Sequence, residues 1–243
     1  MTQIDPPAPD RQLPDRQFTD QKLRALAEFA AGAGHEINNP VATIIGYAQQ
    51  LLAGETDPDR RHALSTIGAQ AYRIRDMIGD VMLFARPPRP RPQRLDLALV
   101  VQELAEKVAG EARAAAIRIE VQADAETPIL ADPVQLRVVV SSLLRNSFEA
   151  LGQGGNVSIA ARAIEESGRP LALFSIADDG PGLSETEREH LFDPFYSGRQ
   201  AGRGLGFGLS KVWRIVTLHD GQIETGLPAT GGVIFTIRWP APA

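Results

Sequence analysis

The sequence has no cysteine. Disulfides, thiolate metal sites and cysteine nucleophiles are therefore excluded. It has no apolar run approaching the roughly 18 residues of a membrane-spanning helix, so no direct membrane span is expected. Basic residues are in deficit, with 25 Lys and Arg against 30 Asp and Glu. The resulting net charge of −5 argues against non-specific attraction to nucleic acid or an anionic membrane. The first residues are rich in Pro and Asp and lack the basic start and apolar stretch of a secretory signal. The pattern G-x-x-x-x-G-K-[ST] is missing, so a P-loop is not supported. The expectation is a soluble, cytoplasmic protein of ordinary globular composition, with 43% hydrophobic residues available for a core.

What is present divides into four segments. Residues 1–17 read as a disordered leader punctuated by Pro6, Pro7, Pro9 and Pro14. Residues 18–85 read as two helices. Leu23, Leu26, Ala30, Ala33, Ile37, Val41, Ile44, Ala48 and Leu51 recur at steps of three or four, on one helical stripe. After a turn at Gly54, Asp57 and Pro58, the second stripe runs Leu64, Ile67, Ala71, Ile74, Ile78, Val81 and Ala85, alternating three and four as a coiled-coil seam does. Such a hairpin has little core of its own. Pairing with a second copy would bury both seams in a four-helix bundle, so a homodimer is expected. The other arrangement is a hairpin packed on the rest of its own chain.

Residues 86–94, RPPRPRPQR, read as a semi-rigid linker. Residues 95–243 read as an α+β unit. Helices are expected over Leu97 to Ala115, from Asp132 (N-cap, with Pro133 at the first helical position) to Leu151, and from about Gly206 to His219. Strands are expected at Ile117 to Ala123, Pro128 to Ala131, Asn156 to Ile164, Leu171 to Ala177, Gln222 to Thr225 and Val233 to Trp239. Helices and strands that do not strictly alternate suggest helices layered on one face of a mixed sheet.

The first chemical constellation is His35-Glu36-Ile37-Asn38-Asn39-Pro40. Ile37 lies on the buried stripe. His35 is two positions away, about 200° around the helix, and is expected to point outward. A neutral imidazole is a competent nucleophile toward phosphorus near neutral pH. Glu36 beside it can accept a ring N–H and fix the tautomer. Asn39 lies one turn on along the same face, where its amide can orient water or a phosphoryl group. Pro40 leaves the Glu36 carbonyl without its helical donor, so a bend is expected there. Taken by itself, an exposed histidine near a helical proline is an ordinary feature. No metal-ligand spacing links His62, His190 and His219.

The second constellation lies in the α+β unit. Asn146 sits on the helix that begins at Asp132; its amide oxygen is a hard neutral ligand suited to Mg²⁺ otherwise held by phosphates and water. Asp178-Asp179-Gly180-Pro181-Gly182 follows the apolar strand LALFSIA. A carboxylate there can accept from an exocyclic amine of adenine, and Gly180 and Gly182 permit close approach of the ring. Leu191-Phe192-Asp193-Pro194-Phe195 precedes a stretch ending in Gly204, Gly206 and Gly208, whose backbone N–H groups and following helix N-terminus suit phosphates. Arg199 and Arg203 lie within reach of phosphate oxygens there.

Together these motifs resemble the sensor histidine kinase family over roughly residues 20 to 240. His35 to Pro40 is similar to the phosphoacceptor motif H-E-x-x-N-P. Asn146 is similar to the metal-binding asparagine of the N box. Asp178, Gly180 and Gly182 match D-x-G-x-G, Phe192 to Phe195 the F box, and Gly204, Gly206 and Gly208 the last glycine-rich box. The resemblance implies a dimeric helical domain carrying His35 and a Bergerat-type α/β sandwich that binds ATP with Mg²⁺. It implies autophosphorylation of His35 and transfer to an aspartate of a response-regulator receiver domain. Glu36 would take the acid/base role, and Asn39 would position water in a phosphatase reaction on that regulator. A lid over Tyr196 to Arg203 would cover the nucleotide.

Four departures stand out. Ser142 replaces an asparagine one turn before the metal ligand, and Asp179 replaces the more usual asparagine. Leu205 and Phe207 stand where threonine and leucine are common. Arg199 and Arg203 stand where lysines are common. A related ATPase or serine kinase would carry a glutamate at position 142. A catalytically impaired, nucleotide-gated dimeric scaffold is the other alternative. The absence of a recognisable sensory segment implies a separate sensory partner or a fragment.

Overall fold

The structure is a computed structural model that describes residues 20–196, 206–228 and 231–242. The expected leader lies outside the described residues. The chain divides into two compact units. One comprises the hairpin up to Pro88 together with the residues ending at Phe207; the other comprises the remainder from Arg89.

In the first unit, α1 (Asp20–Gly54) and α2 (Pro58–Ala85) pack side by side as an antiparallel pair. The turn between them is closed by side chains. Asp57 caps α2, accepting from the N–H groups of Asp59 and Arg60, with Pro58 in the first turn. The Arg61 guanidinium donates to the carbonyls of Glu55 (2.7 Å) and Leu52 (3.3 Å), supplying donors where α1 runs out of them. Val41, Ile45 and Ala71 form a buried cluster flanked by Ile37 and Tyr72. Near the far end of α2, Val81, Phe84 and Ala85 cluster with Phe207, the two phenylalanine rings 5.6 Å apart. Pro40 lies inside α1, which continues unbroken through it. Much of the coiled-coil seam stays open within one copy: Ile44, Leu51, Ile67 and Ile74 are all exposed.

The second unit begins with β1 (Gln93–Asp96), followed by α3 (Leu97–Ala114), β2 (Arg118–Ala123), β3 (Pro128–Ala131), α4 (Pro133–Leu151), β4 (Asn156–Glu166), β5 (Arg169–Asp178), α5 (Glu185–His190), α6 (Gly208–Leu218), β6 (Gln222–Gly226) and β7 (Val233–Pro240). Two of these were not expected. Gln93 and Arg94, read as linker, form part of β1, which pairs antiparallel with β3. The short α5 is set by a capping box between Ser184 and Glu187. Helix α6 starts at Gly208 rather than Gly206.

The main sheet has the order β2-β4-β5-β7-β6. β2 runs parallel to β4, and every other neighbouring pair is antiparallel, so the sheet is mixed. Strict alternation puts Val157, Ile159 and Ala161 of β4, Ala172, Phe174 and Ile176 of β5, and Val233, Phe235, Ile237 and Trp239 of β7 in the core. Helices α3, α4 and α6 contribute Val101, Val139, Val140, Leu143, Val212, Ile215 and Val216 to that core. Each large side chain so buried stabilises the fold by roughly 1.5–3 kcal/mol relative to exposure.

Candidate functional site

Helix α4 is anchored hard at its start. The Asp132 carboxylate accepts from the N–H groups of Val134 and Gln135 through Oδ1 and from the Arg91 N–H through Oδ2. Burial pushes this carboxyl up, but the three N–H donors outweigh it and hold it below its ordinary value. The Asp132 N–H donates to Nε2 of His219 at 3.0 Å. His219 is buried; its Nδ1 faces the Ile215 carbonyl at 2.9 Å and so carries the ring proton. Its ring lies 4.9 Å from that of Trp239, whose indole N–H donates to the Leu130 carbonyl. The helix bearing Asn146 is thus tied to α6, β3 and β7.

The C-terminal half of α4 meets the end of β5. Asp178 continues the inward alternation of Ala172, Phe174 and Ile176, and so turns a carboxyl into the buried layer, where it is only 4% exposed. Oδ1 accepts from the Gly180 N–H at 3.1 Å, while Oδ2 has no partner within the protein. Burial pushes the carboxyl above its ordinary range; N–H donors from Gly180 and Val233 and the nearby Ser147 hydroxyl pull the other way, and the Asp179 charge adds to the rise. A Cβ on Gly180 would lie 3.0 Å from Asp178 Oδ1 and 3.7 Å from the Ala150 and Leu151 side chains of α4. Gly232 has φ +79°, and a Cβ there would lie 1.7 Å from the Asp178 carbonyl, so only glycine allows β7 to approach β5 at this point.

Asp179 has a different task. Its Oδ1 accepts from the Asn156 N–H (2.7 Å) and its Oδ2 from the Asn156 amide (2.6 Å). These bonds hold its carboxyl below the ordinary range and latch the start of β4 to the end of β5. The departure from asparagine at position 179 is accounted for by this latch.

Beyond α5, Phe192 is buried and Phe195 is exposed in the left-handed region (φ +66°). His190 Nδ1 lies 2.7 Å from Asp193 Oδ2, and its ring lies 5.3 Å from that of Tyr196. Gly206 has φ +73°, and Gly208 opens α6. Arg199, Arg203 and Gly204 lie outside the described residues, as does the expected lid beyond Tyr196.

His35 lies in α1; Glu36, Asn39 and Pro40 are exposed on the same helix. One residue before His35, a Cβ on Gly34 would lie 2.6 Å from the Met82 sulfur, so α2 presses closely on the backbone there. In the second unit, Asp178, Gly180 and the end of α4 come together, with Asn146 one turn before Ala150. Sequence reasoning missed Ser147, which is wholly buried beside Asp178. No pattern marks it: a serine amid apolar neighbours on a helix carries no signal until β5 is laid against it. Ser142 is only partly buried. Among the described residues no cluster of three metal-ligating side chains occurs.

This arrangement can hold a planar, amine-bearing heterocycle against a buried carboxylate. Residues 25–89 match the His Kinase A (phospho-acceptor) domain, and residues 131–243 match the histidine kinase-, DNA gyrase B- and HSP90-like ATPase family. Sensor histidine kinase ZraS of Klebsiella oxytoca is 31% identical over 232 residues, covering 95% of this chain and 49% of that protein. Sporulation kinase E of Bacillus subtilis is 27% identical over 231 residues, covering 95% of this chain and 30% of that protein. The chain spans about half or less of the length of these curated relatives. Among solved structures, full-length ShkA in complex with AMPPNP superposes with a TM-score of 0.75 at 25% identity, over 89% of this chain and 46% of that one. The histidine kinase ThkA, solved in complex with response regulator protein TrrA, shares the fold with a TM-score of 0.64 at 21% identity, over 94% of this chain and 65% of that one.

Proposed function

The chain belongs to the sensor histidine kinases of two-component systems, and from that premise we propose that it binds Mg-ATP, phosphorylates His35 and passes the phosphoryl group to an aspartate of a response-regulator receiver domain. The observation that carries the nucleotide half is the buried Asp178 carboxyl with an unpartnered oxygen, set against the end of α4. It accepts from the adenine 6-amino group, and Gly180 keeps a side chain off the carboxyl, a Cβ there falling 3.0 Å from Oδ1. Arg199, Arg203 and the glycines Gly204, Gly206 and Gly208 would take the role of binding the phosphates.

Asn146 fits a magnesium site of a particular kind. With no carboxylate cluster among the described residues, it would supply one neutral oxygen to an ion otherwise held by phosphate oxygens and water. The ion would neutralise charge on the phosphates. A ring nitrogen of His35 bonds to the γ-phosphorus as the bond to the β–γ bridging oxygen breaks and ADP leaves. Glu36 accepts the proton from the other ring nitrogen. A carboxylate oxygen of the receiver aspartate then attacks the same phosphorus, and the imidazole departs. Asn39 orients water when the phosphorylated regulator is hydrolysed instead. The complex of ThkA with response regulator TrrA supports a receiver as partner. The exposed seam residues Ile44, Leu51, Ile67 and Ile74 support a homodimer.

Incubation with γ-labelled ATP tests this reading. The expected result is acid-labile, alkali-stable label that is absent from His35→Ala and moves to a receiver domain. Nucleotide binding without label would instead identify a scaffold, the reading that Ser142 at the N box favours. Label stable to acid would identify a hydroxyl kinase.

A further inference from the structure

A glycine weakens a helix relative to alanine, so it is informative where its missing side chain is put to use. At Gly32, Gly46, Gly54 and Gly79 of the hairpin a Cβ would stand in open space. At Gly68 it would make ordinary contact with Ala48 at 3.8 Å. Gly34 differs. It is buried, and a Cβ there would lie 2.6 Å from the Met82 sulfur and 3.3 Å from Met82 Cγ and Cε. Packed carbons rest about 3.5–4.0 Å from their neighbours, so a side chain at this position forces a displacement of about 1 Å. Met82 has limited room to yield, because it also packs against the cluster of Val81, Phe84, Ala85 and Phe207.

The contact falls where α1 is weak. Pro40 lies inside the helix and has no N–H, so the Glu36 carbonyl, one residue after His35, loses its helical donor. The backbone around His35 therefore leans on packing against α2. On the C-terminal side that packing is the cluster of Val41, Ile45 and Ala71 with Ile37 beside it. On the N-terminal side lies the contact of Gly34 with Met82. Resting on the reading of His35 as the phosphoacceptor, we propose that Met82 is a positioning residue: its thioether, seated on the bare backbone of Gly34, fixes where α1 carries the imidazole relative to α2. An unbranched, polarisable side chain suits the task, since it moulds to a backbone surface. Misplacing a reacting group by about 1 Å can cost about 10²-fold in rate. Packing alone predicts something else, a change in stability with no change in the rate of the folded chain.

The test follows His35 phosphorylation across a range of Mg-ATP concentrations, giving a limiting rate and a half-saturating concentration. It compares the full chain with Gly34→Ala, Met82→Ala and the double variant, at a temperature where circular dichroism shows each to be folded. Gly34→Ala should lower the limiting rate about 10- to 100-fold and leave the half-saturating concentration unchanged. Met82→Ala, which empties the contact, should lower the rate by a smaller factor. Combining the two should restore the rate to within about threefold of wild type, because the new methyl takes the space the thioether left; independent sites would instead add their losses. A Gly34→Ala chain that labels at the wild-type rate overturns the proposal. A double variant no faster than Gly34→Ala also overturns it, as does a loss that appears in the half-saturating concentration. If Gly34→Ala does not fold, Met82→Ala decides alone, and a wild-type rate overturns the proposal. In each of these cases the kinase reading stands. A wild-type chain that takes no label at His35 refutes that reading, and this inference with it.

Discussion

Replacing Asp132 by alanine removes the acceptor for three backbone N–H groups, those of Val134, Gln135 and Arg91. Loss of the cap on α4 costs about 0.5–2 kcal/mol. The Arg91 N–H is exposed and can turn to water, so its share is about 0.5–1.5 kcal/mol. The sum, about 1–3.5 kcal/mol, lowers the melting temperature by roughly 3–10 °C for a unit of this size. Asp132→Asn keeps one acceptor for the cap but turns an amide donor toward Arg91, and should fall between alanine and wild type. The sign of the pH dependence follows from the carboxyl's lowered pKa. The stabilisation is fully present above the ordinary value of 3.8 and is lost only as pH falls through the lower folded value. The deficit of the alanine variant should therefore be flat from about pH 5 to about pH 8 and shrink only on stronger acidification. Ser147 lies fifteen residues on, about 22 Å along the helix axis. Nucleotide affinity well below the melting temperature should accordingly change by less than about twofold. Thermal unfolding followed by circular dichroism, with titration of nucleotide at low temperature, makes the check. An unchanged melting temperature, a deficit that varies between about pH 5 and about pH 8, or an asparagine variant as unstable as alanine would refute the reasoning.

Asp178→Asn should separate stability from binding. Because burial raises this carboxyl, ionising it on passage above 3.8 costs the folded state stability. The asparagine variant should melt higher than wild type near pH 7, the advantage disappearing below pH 3.8. It should bind ATP about 10- to 150-fold more weakly, the worth of a charge-assisted hydrogen bond; calorimetry of both properties tests the pair, and a destabilised variant would contradict the burial argument. Ile44→Glu combined with Ile74→Glu should convert a dimer to a monomer in sedimentation without loss of helix, since both side chains are exposed within one copy. A dimer that persists would place the interface elsewhere.

Much of this architecture was legible because its signals are local. The Asp132-Pro133 pair marks the start of α4 by capping chemistry alone, and Ala172, Phe174 and Ile176 announce a half-buried strand by alternation. Extending that alternation by one more step accounts for the burial of Asp178. Other features needed the third dimension. Strand β1 is four residues long and pairs with β3 across more than thirty residues, so no window of sequence contains both. Helix α5 carries a capping-box signature, but its six residues include no apolar stripe. The parallel pairing of β2 with β4 leaves no mark on either strand. The roles of Asp179 and Ser147 depend on partners contributed by other elements, Asn156 and Asp178. In the hairpin, the apolar stripe was readable, but it mixes two populations: Val41, Ala48 and Ala71 are buried within one copy, whereas Ile44, Ile67 and Ile74 are not.

The sheet order has a consequence for biosynthesis. β7 lies between β5 and β6, yet it is made after both. Until it leaves the ribosome, β5 offers one complete row of unpaired N–H and C=O groups, and β6 has no strand to join. A nascent chain in that condition presents the sticky edge that finished proteins conceal, beside the apolar faces of Phe174 and Ile176. The five-stranded sheet therefore closes late and in one step, and a ribosome stalled before Val233 would display a half-sheet inviting chaperones or aggregation.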